Sequence, residues 1–379
     1  EEMGGPAEST VWGTSLKLPA ANAVLVNGTA VHAFELDDLH KTSILHPGGP
    51  SVSAALATAE RLGGCDGKRF LAAVVAGYET GIRVGICVGT AHLQKGFHPT
   101  GTHGTFSAGA AAGKMLQLTA EQMTHALGIA GTQAAGSMAA QYAAMVKRFH
   151  AGRASQSGVY AALLAQKGLT GITNLLEADF GGYGKLMGDN ADLSLVTKGL
   201  GEYFETINVG FKPYAAGGST HTAHEAIKSI MAEQGLTAAD IEGIVIRCTT
   251  ATDHHTNWPY KPDGVTAAQM NMQYVVTVTA LDRELFIDQF SPEKLTDPEV
   301  IAFTRKVTVQ RDPELDALGP NYRHAIIAEI TTTKGQTHEK RVDTAKGSYK
   351  YPMTEEEVLA KYTSLATRVI SADAATKIR

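Results

Sequence analysis

The segment that organises this chain reads His32-Ala-Phe-Glu-Leu-Asp-Asp-Leu-His-Lys-Thr-Ser-Ile-Leu-His46-Pro-Gly-Gly49. Its first fifteen residues contain three acidic side chains and three imidazoles, with apolar residues between them. We expect a helix over Ala23–Leu39 that carries these groups toward an interior, and Pro47 with its glycines should end the helical stretch. Buried charges need partners, so the segment is predicted to form one wall of a buried, charged small-molecule site.

Composition indicates a globular protein with a large core. The length of 379 residues predicts two or three domains, and 44% of the residues are hydrophobic. The net charge of −5 argues against nucleic acid or an anionic membrane as the main partner. An anion site would therefore be a local positive pocket.

Cysteine usage indicates a reducing compartment. Cys65, Cys87 and Cys248 lie far apart without a C-x-x-C pair, which argues against a disulfide scaffold or a zinc ribbon. No apolar run is expected to span a bilayer, and the first residues do not resemble a signal peptide. We predict a cytoplasmic protein, or a mitochondrial-matrix protein if the source is eukaryotic. Because the chain opens without an initiator Met, we expect further residues upstream.

Helical periodicity dominates the chain up to about residue 207, with core-helix patterns at 54–62 and 69–89 and a capping box at 119–122. From 208 to 345 the pattern mixes helices with β-branched strands, and Thr354 then caps a last helix. We predict a mainly α protein with an α/β insert. Residues 1–207 and 346–379 would form a large all-helical domain, and residues 208–345 a smaller α+β lid domain.

Two further stretches contain candidate functional side chains. Residues 89–104 break the helical pattern and place His98 and His103 in a loop rich in Gly and Pro. Imidazoles at a helix mouth suit proton transfer or contact with an anion, although a turn with histidines bonded to backbone carbonyls is the alternative. Lys147 and Arg148 follow an Ala-rich helix, and Lys212 lies in a separate turn.

The lysines favour a carboxylate ligand. Lys147 and Lys212 from different segments would hold a di- or tricarboxylate and stabilise a carbanion or enolate next to a carboxylate. The alternative for Lys147-Arg148 is a snorkelling pair at a helix C-terminus.

A metal-dependent hydrolase or lyase is an alternative hypothesis, because His and Asp are ligands for zinc and iron. However, the chain has no HExxH or HxH pair, and His221-x-x-His224 is a weak signal. It also contains no GxSxG elbow and no glycine-rich nucleotide loop. We therefore predict neither a metal nor a cofactor.

Several motifs, in order along nearly the whole chain, resemble the MmgE/PrpD family. They are His32-Ala-Phe-Glu-Leu-Asp-Asp, His46-Pro-Gly, Gly96-Phe-His98-Pro, residues 127–136, Ala140-Gln-Tyr142, Met145-Val-Lys147-Arg148, Phe211-Lys212-Pro-Tyr and Gln273-Tyr274-Val. The family includes 2-methylcitrate dehydratase, cis-aconitate decarboxylase and iminodisuccinate epimerase. The resemblance implies a homodimer with a helical domain made from both chain ends, an α/β lid and an active site in the cleft.

The resemblance to the decarboxylase also implies active-site side chains at particular positions, namely Glu35, His46, His98, Lys147, Lys212 and Tyr274. Glu35 stands where that enzyme has Asp, and Leu39 where it has Thr. Contact with substrate at this wall should therefore differ.

We predict a cofactor-free lyase that acts on a small di- or tricarboxylate by proton transfer next to a carboxylate, with dehydration or decarboxylation as the outcome. Lys147 and Lys212 would hold carboxylates, His46 and His98 would exchange protons, and Tyr274 would close the site. Substrate-binding roles are predicted for Glu35, Asp38, His103, Tyr142 and Arg148, with Glu35 or Asp38 orienting a histidine. The alternatives are an epimerase of an amino- or imino-dicarboxylate such as iminodisuccinate, the metal-dependent enzyme, and a non-catalytic helical interaction protein.

Overall fold

A computed structural model describes residues 2–379, which divide into two compact units. The first unit runs to Val209 and also contains Lys261–Met270, whereas the second comprises Gly210–Tyr260 and Asn271–Arg379. The observed boundary between residues 209 and 210 lies beside the predicted boundary between residues 207 and 208. Residues 346–379 group with the second unit, whereas the sequence analysis assigns them to the helical domain. In that unit Lys361 Nζ donates to the Lys212 carbonyl at 2.7 Å.

The elements confirm a mainly α protein with an α/β part. In chain order, helices α1 to α9 are Ala20–Val31, Gly48–Arg61, Gly67–Val88, Ala91–Gln94, Pro99–Met115, Ala120–Thr132, Val146–Gln166, Tyr183–Met187 and Ser194–Thr197. Helices α10 to α18 are His221–Glu233, Thr250–Thr256, Val265–Met270, Met272–Asp282, Pro292–Thr296, Pro298–Thr304, Pro313–Ala317, Glu355–Ala366 and Ala372–Ile378. Strands β1 to β8 are Ser9–Thr10, Lys17–Leu18, Leu39–His40, Val209–Gly210, Ile241–Cys248, Val307–Arg311, Ile326–Thr332 and Thr337–Val342.

The first unit is built on close contacts among α1, α2, α3, α5 and α7. Its core consists largely of alanines, with Val24, Met115 and Val159 among the larger side chains. Small residues let the helix backbones approach closely. A Cβ atom on Gly158 of α7 would meet the backbone nitrogen of Gly109 of α5 at 2.4 Å. This packing holds α5 and α7 against each other at Gly109 and Gly158.

The helix predicted over Ala23–Leu39 is wrong beyond Val31, where α1 ends. Residues 32–47 are mostly irregular, and both Glu35 and Ile44 have positive φ angles of 54° and 56°. Three acids in one helical turn would repel each other. In the irregular segment, which we call the acidic loop, each carboxylate can instead face a different partner.

Other helix predictions are confirmed or adjusted. The helices predicted at 54–62 and 69–89 are α2 and α3, and Thr119 with Gln122 forms the predicted capping box of α6. His103 lies inside α5 and not in a loop. Lys147 and Arg148 begin α7, so the alternative of a pair at a helix C-terminus is wrong.

One helix passes the length and composition criteria for a membrane span, which corrects the expectation that no apolar run would. It is α3, with 56% of its most apolar window buried. It packs against α2 and α5. It also contains the buried pair of Arg83 Nε and Glu79 Oε2 at 3.0 Å. These contacts describe a core helix of the first unit.

The second unit contains the predicted strands as one four-stranded sheet in the order β6-β5-β7-β8. Strand β5 runs parallel to β6 and antiparallel to β7, and β7 pairs with β8 through a hairpin. Ile244 is opposite Val307 on one side and Ile330 on the other. Helices α10 and α13 contribute Ile227, Ile230 and Val276 to the core beneath this sheet.

Candidate active site

Four imidazoles form a cluster in the first unit, where the acidic loop meets the starts of α5 and α7. The imidazole cluster consists of His32, His46, His98 and His150. The His32 ring centroid lies 4.9 Å from that of His46 and 5.4 Å from that of His98. His98 Nδ1 is 3.0 Å from His150 Nδ1. The structure thus brings the predicted proton-transfer residues His46 and His98 together, with two histidines that were not predicted.

A buried ion-pair group lies beside the imidazole cluster. Lys147 Nζ donates to Glu35 Oε1 at 2.5 Å, and Arg148 Nη1 donates to the same oxygen. All three residues are at most 5% exposed. Glu35 reaches the two cations from a left-handed backbone conformation. The Glu35 carboxylate thus faces two cations, and a cation beside the imidazole cluster suits contact with an anionic ligand.

Gln269 on α12 completes this group and was not predicted. Its side-chain oxygen accepts from Arg148 Nη2 at 2.8 Å, and its side-chain nitrogen donates to the Phe34 carbonyl at 3.0 Å. The amide therefore ties α7 to the acidic loop. A signal existed in the sequence, because Gln269 is a polar residue inside the apolar run Ala267-Ala-Gln-Met270.

Asp37 is the carboxylate that orients histidines, a role that the sequence analysis gave to Glu35 or Asp38. Asp37 Oδ2 lies 2.7 Å from His32 Nδ1 and 3.3 Å from His46 Nδ1. The Nδ1 atom of His46 also lies 2.7 Å from the Asp38 carbonyl oxygen. Neither Asp37 nor His32 was among the predicted site residues.

The Asp38 carboxylate makes hydrogen bonds to other partners. Its Oδ1 accepts from the Gly48 amide at 3.0 Å, at the start of α2, and its Oδ2 accepts from the Tyr78 hydroxyl at 2.7 Å. Burial, together with this carboxylate, raises the pKa of Tyr78. A negative charge at a helix N-terminus is stabilising. The observed contacts of the Asp38 carboxylate thus hold the acidic loop to α2 and α3.

His32, His98 and His150 are neutral at neutral pH, because their pKa values are lowered. Burial, and then the nearby Lys147 ammonium, holds the pKa of His98 well below its usual value. Burial also lowers the pKa of His32, although Asp37 opposes this shift. A neutral imidazole carries one N–H donor and one lone pair, so it can either give or take a proton.

The other predicted residues of the first unit lie elsewhere. His103 Nδ1 is 2.9 Å from the Tyr183 hydroxyl, and its ring is 4.6 Å from that of His92. The structure thus places His103 with His92 and Tyr183 and not in the imidazole cluster. Tyr142 is 48% exposed, and its substrate-binding role stays a prediction.

Lys212 and Tyr274 belong to the second unit. Lys212 is 5% exposed. The Tyr274 hydroxyl donates to the Gln289 carbonyl at 2.5 Å, and its ring lies 4.7 Å from that of Tyr260. Burial raises the pKa of Tyr274. The catalytic roles of Lys212 and Tyr274 stay predictions.

His32, Asp37 and His46 offer a set of potential metal ligands within 4.8 Å of one another, and His with Asp is a set used by zinc and iron. The hydrogen bonding decides which histidine atoms keep a lone pair. A carbonyl oxygen can only accept, so the Nδ1 atom of His46 must hold its proton toward Asp38. This nitrogen then has no lone pair for a metal, and the three residues form a hydrogen-bonded group in which Nε2 of each histidine keeps its lone pair.

The buried histidines predict loss of stability in mild acid. Burial lowers the pKa of His32, His98 and His103, and that of His92 to about 4. Below pH 6.5 the unfolded chain therefore binds protons that the folded chain does not. Stability should fall as the pH drops from about 6.5 toward 4, by up to about 1.4 kcal/mol per pH unit for each histidine.

Urea unfolding at pH 7.5 and 5.5 measures this dependence. His103→Gln should make the change between the two pH values smaller, whereas His254→Gln at an exposed position should leave it as in the unmodified protein. An unfolding free energy that is equal at both pH values would contradict the prediction.

Comparison with known proteins agrees with this architecture. The profile of the MmgE/PrpD N-terminal domain matches residues 1–196, and that of the MmgE/PrpD C-terminal domain matches residues 214–379. The chain belongs to the MmgE/PrpD family. A cis-aconitate decarboxylase of Aspergillus terreus is 32% identical to it, over 96% of this chain and 78% of the relative. The cis-aconitate decarboxylase of Homo sapiens is 30% identical, over 96% and 76% of the two chains.

Proposed function

We propose that this protein is a cofactor-free lyase that decarboxylates cis-aconitate or a closely similar tricarboxylate. The observation that carries the proposal is the juxtaposition of neutral, buried imidazoles with the Lys147–Glu35–Arg148 group. Proton donors and acceptors thus lie beside the Lys147 and Arg148 cations. The names of the relatives from Aspergillus terreus and Homo sapiens support the choice of substrate.

The reaction needs a site that stabilises an electron pair next to a carboxylate. In cis-aconitate, loss of carbon dioxide from the CH2–carboxylate arm breaks a C–C bond and leaves its electron pair on an allylic carbon. The pair is shared with the carbon that bears the second carboxylate, and that carbon then takes a proton. No electrons enter or leave overall, so the reaction needs no redox partner.

The residues of the first unit have separate tasks in this scheme. The Lys147 ammonium, with Arg148 beside it, stabilises the negative charge that spreads into the carboxylate. His46 or His98 takes up a proton from solvent at a ring nitrogen and delivers it to the carbon, which returns the ring to its neutral form. Dehydration of a 2-methylcitrate-type acid and epimerisation of an iminodisuccinate-type acid would share the same carbanion-like step.

The assembly and location are part of the proposal. The family resemblance favours a homodimer. All three cysteines are free thiols, which supports a reducing compartment, namely the cytoplasm or the mitochondrial matrix of a eukaryote.

An NMR time course in deuterated buffer tests the function. The protein is offered cis-aconitate, 2-methylcitrate and iminodisuccinate in separate samples. We expect cis-aconitate to be consumed, with one deuterium in the product at the carbon next to a carboxylate. Turnover of another acid and not of cis-aconitate would replace the proposed substrate. No turnover and no exchange with any of the acids would contradict the proposed function.

A further inference from the structure

Asp37 is buried between two histidines and contacts both with one oxygen atom. Its side chain is 2% exposed, and the side chains of His32 and His46 are 0% and 11% exposed. The distances from Oδ2 are 2.7 Å to His32 Nδ1 and 3.3 Å to His46 Nδ1. A hydrogen-bonded carboxylate in a poorly hydrated place interacts strongly with a proton donor, because little water screens it.

The hydrogen bonds decide which ring nitrogen of each histidine carries the proton. An ionised carboxylate only accepts, so His32 donates from Nδ1 to Asp37. His46 donates from Nδ1 to the Asp38 carbonyl, with Asp37 as a second acceptor. In both neutral rings the lone pair therefore resides on Nε2, and Nε2 is the basic atom of His46.

His32 is buried at a cost to the fold. Within residues 2–379, its Nε2 atom has no hydrogen-bond partner. A buried acceptor without a donor is destabilising and calls for an explanation. Its Nδ1–H provides one, since this donor holds the Asp37 carboxylate in place. A lysine or arginine could do the same, but its charge would cancel the field that Asp37 exerts on His46.

We propose that Asp37 is a positioning residue that stabilises the protonated form of His46, and that His32 is the neutral donor that holds Asp37 in place. The inference rests on the proposed function for the identity of the reaction only. When His46 Nε2 takes a proton, the imidazolium forms beside a carboxylate that is already oriented and desolvated. An acid next to a catalytic histidine can contribute several orders of magnitude to kcat in this way.

Other charged and titratable groups also surround His46. His32, Asp37 and His98 act on His46 directly, and Glu35 and Lys147 act on the neighbouring His32. Burial and then the Lys147 ammonium lower the pKa of His98, so Lys147 opposes protonation of that imidazole. The Asp37 carboxylate lies 3.3 Å from His46 Nδ1, so its removal should change the protonation of His46.

The test follows protonation of His46 directly, by NMR of histidine-labelled protein over a range of pH. In Asp37→Asn we expect His46 to take up its proton at a pH about one to three units lower than in the unmodified protein, since a carboxylate at this distance is lost. With the reacting acid, kcat should fall about 10²- to 10⁴-fold while KM stays within about threefold. Tyr78→Phe is the matched control, because it removes a hydrogen bond to the neighbouring Asp38 carboxylate. It should change neither the pH at which His46 takes up its proton nor kcat.

Two variants of His32 test the roles of its two ring nitrogens separately. The side-chain nitrogen of Asn can occupy the place of Nδ1, whereas that of Gln lies near the place of Nε2. We expect His32→Asn to keep the His46 protonation of the unmodified protein and to retain a kcat at least tenfold higher than His32→Gln. This pair keeps the proposal testable even if Asp37→Asn does not fold.

The outcomes are distinct. A folded Asp37→Asn with unchanged His46 protonation, or with unchanged kcat, overturns the role of Asp37. Equal losses in His32→Asn and His32→Gln overturn the role of His32. Failure of the unmodified protein to react with any of the offered acids contradicts the proposed function alone, because the NMR titration of His46 still tests the positioning.

Discussion

Lys147→Met is expected to lower kcat by about 10²- to 10³-fold, the typical cost of removing a donor that stabilises developing negative charge. The Lys147 side chain is 4% exposed, and its charge acts on His32 and His98. Methionine keeps most of the length and apolar contact of the side chain. Glu35 retains Arg148 as a partner, so the fold should be preserved.

Steady-state kinetics with the reacting acid measures the effect. Lys185→Met is the matched control, because Lys185 is an exposed lysine paired with Asp179 at the surface, and its kcat should equal that of the unmodified protein. A Lys147→Met protein with nearly full kcat would remove Lys147 from the mechanism.

Glu35→Ala should produce the largest loss of stability. The substitution leaves Lys147 and Arg148 buried without the carboxylate that they share. Breaking a buried ion pair on one side typically costs about 3–5 kcal/mol, because the remaining charge is uncompensated. The backbone strain at φ 54° is unchanged by alanine, so the loss reports the ion pair.

Urea unfolding quantifies this loss, with Glu284→Ala as the control for an exposed pair with Lys228, where a much smaller change is expected. The double variant Glu35→Ala with Lys147→Met provides a further check. Removing one of the orphaned cations should recover part of the stability, which is the signature of direct coupling. Additive losses would argue against the ion pair as the cause.

The sequence was sufficient where structure follows from local periodicity. Helices α2 and α3, the capping box of α6 and strands β5 to β8 have apolar spacings or caps that are visible within a few residues. Of the predicted site residues, the structure brings His46, His98, Glu35 and Lys147 close together, and their roles stay predictions.

Local patterns were insufficient in the acidic loop, since its shape depends on partners that are distant in sequence. Glu35 turns toward cations more than 110 residues away, and Asp38 faces Tyr78. The sequence shows three adjacent acids and does not show which one meets a histidine. The choice of Asp37 depends on the fold of the whole loop. For the same reason, the interior position of His103 on α5 was not foreseen.

The position of Gln269 in the sequence affects how the protein can fold during its synthesis. The first unit uses a segment, Lys261–Met270, that is made after the first part of the second unit. A nascent chain that has reached Val209 still lacks the amide that bridges Phe34 and Arg148. At usual rates of synthesis of about 5–20 residues per second, the ribosome needs about 3–12 s to add that segment. The acidic loop therefore lacks its hydrogen bond to Gln269 while the ribosome translates the intervening codons.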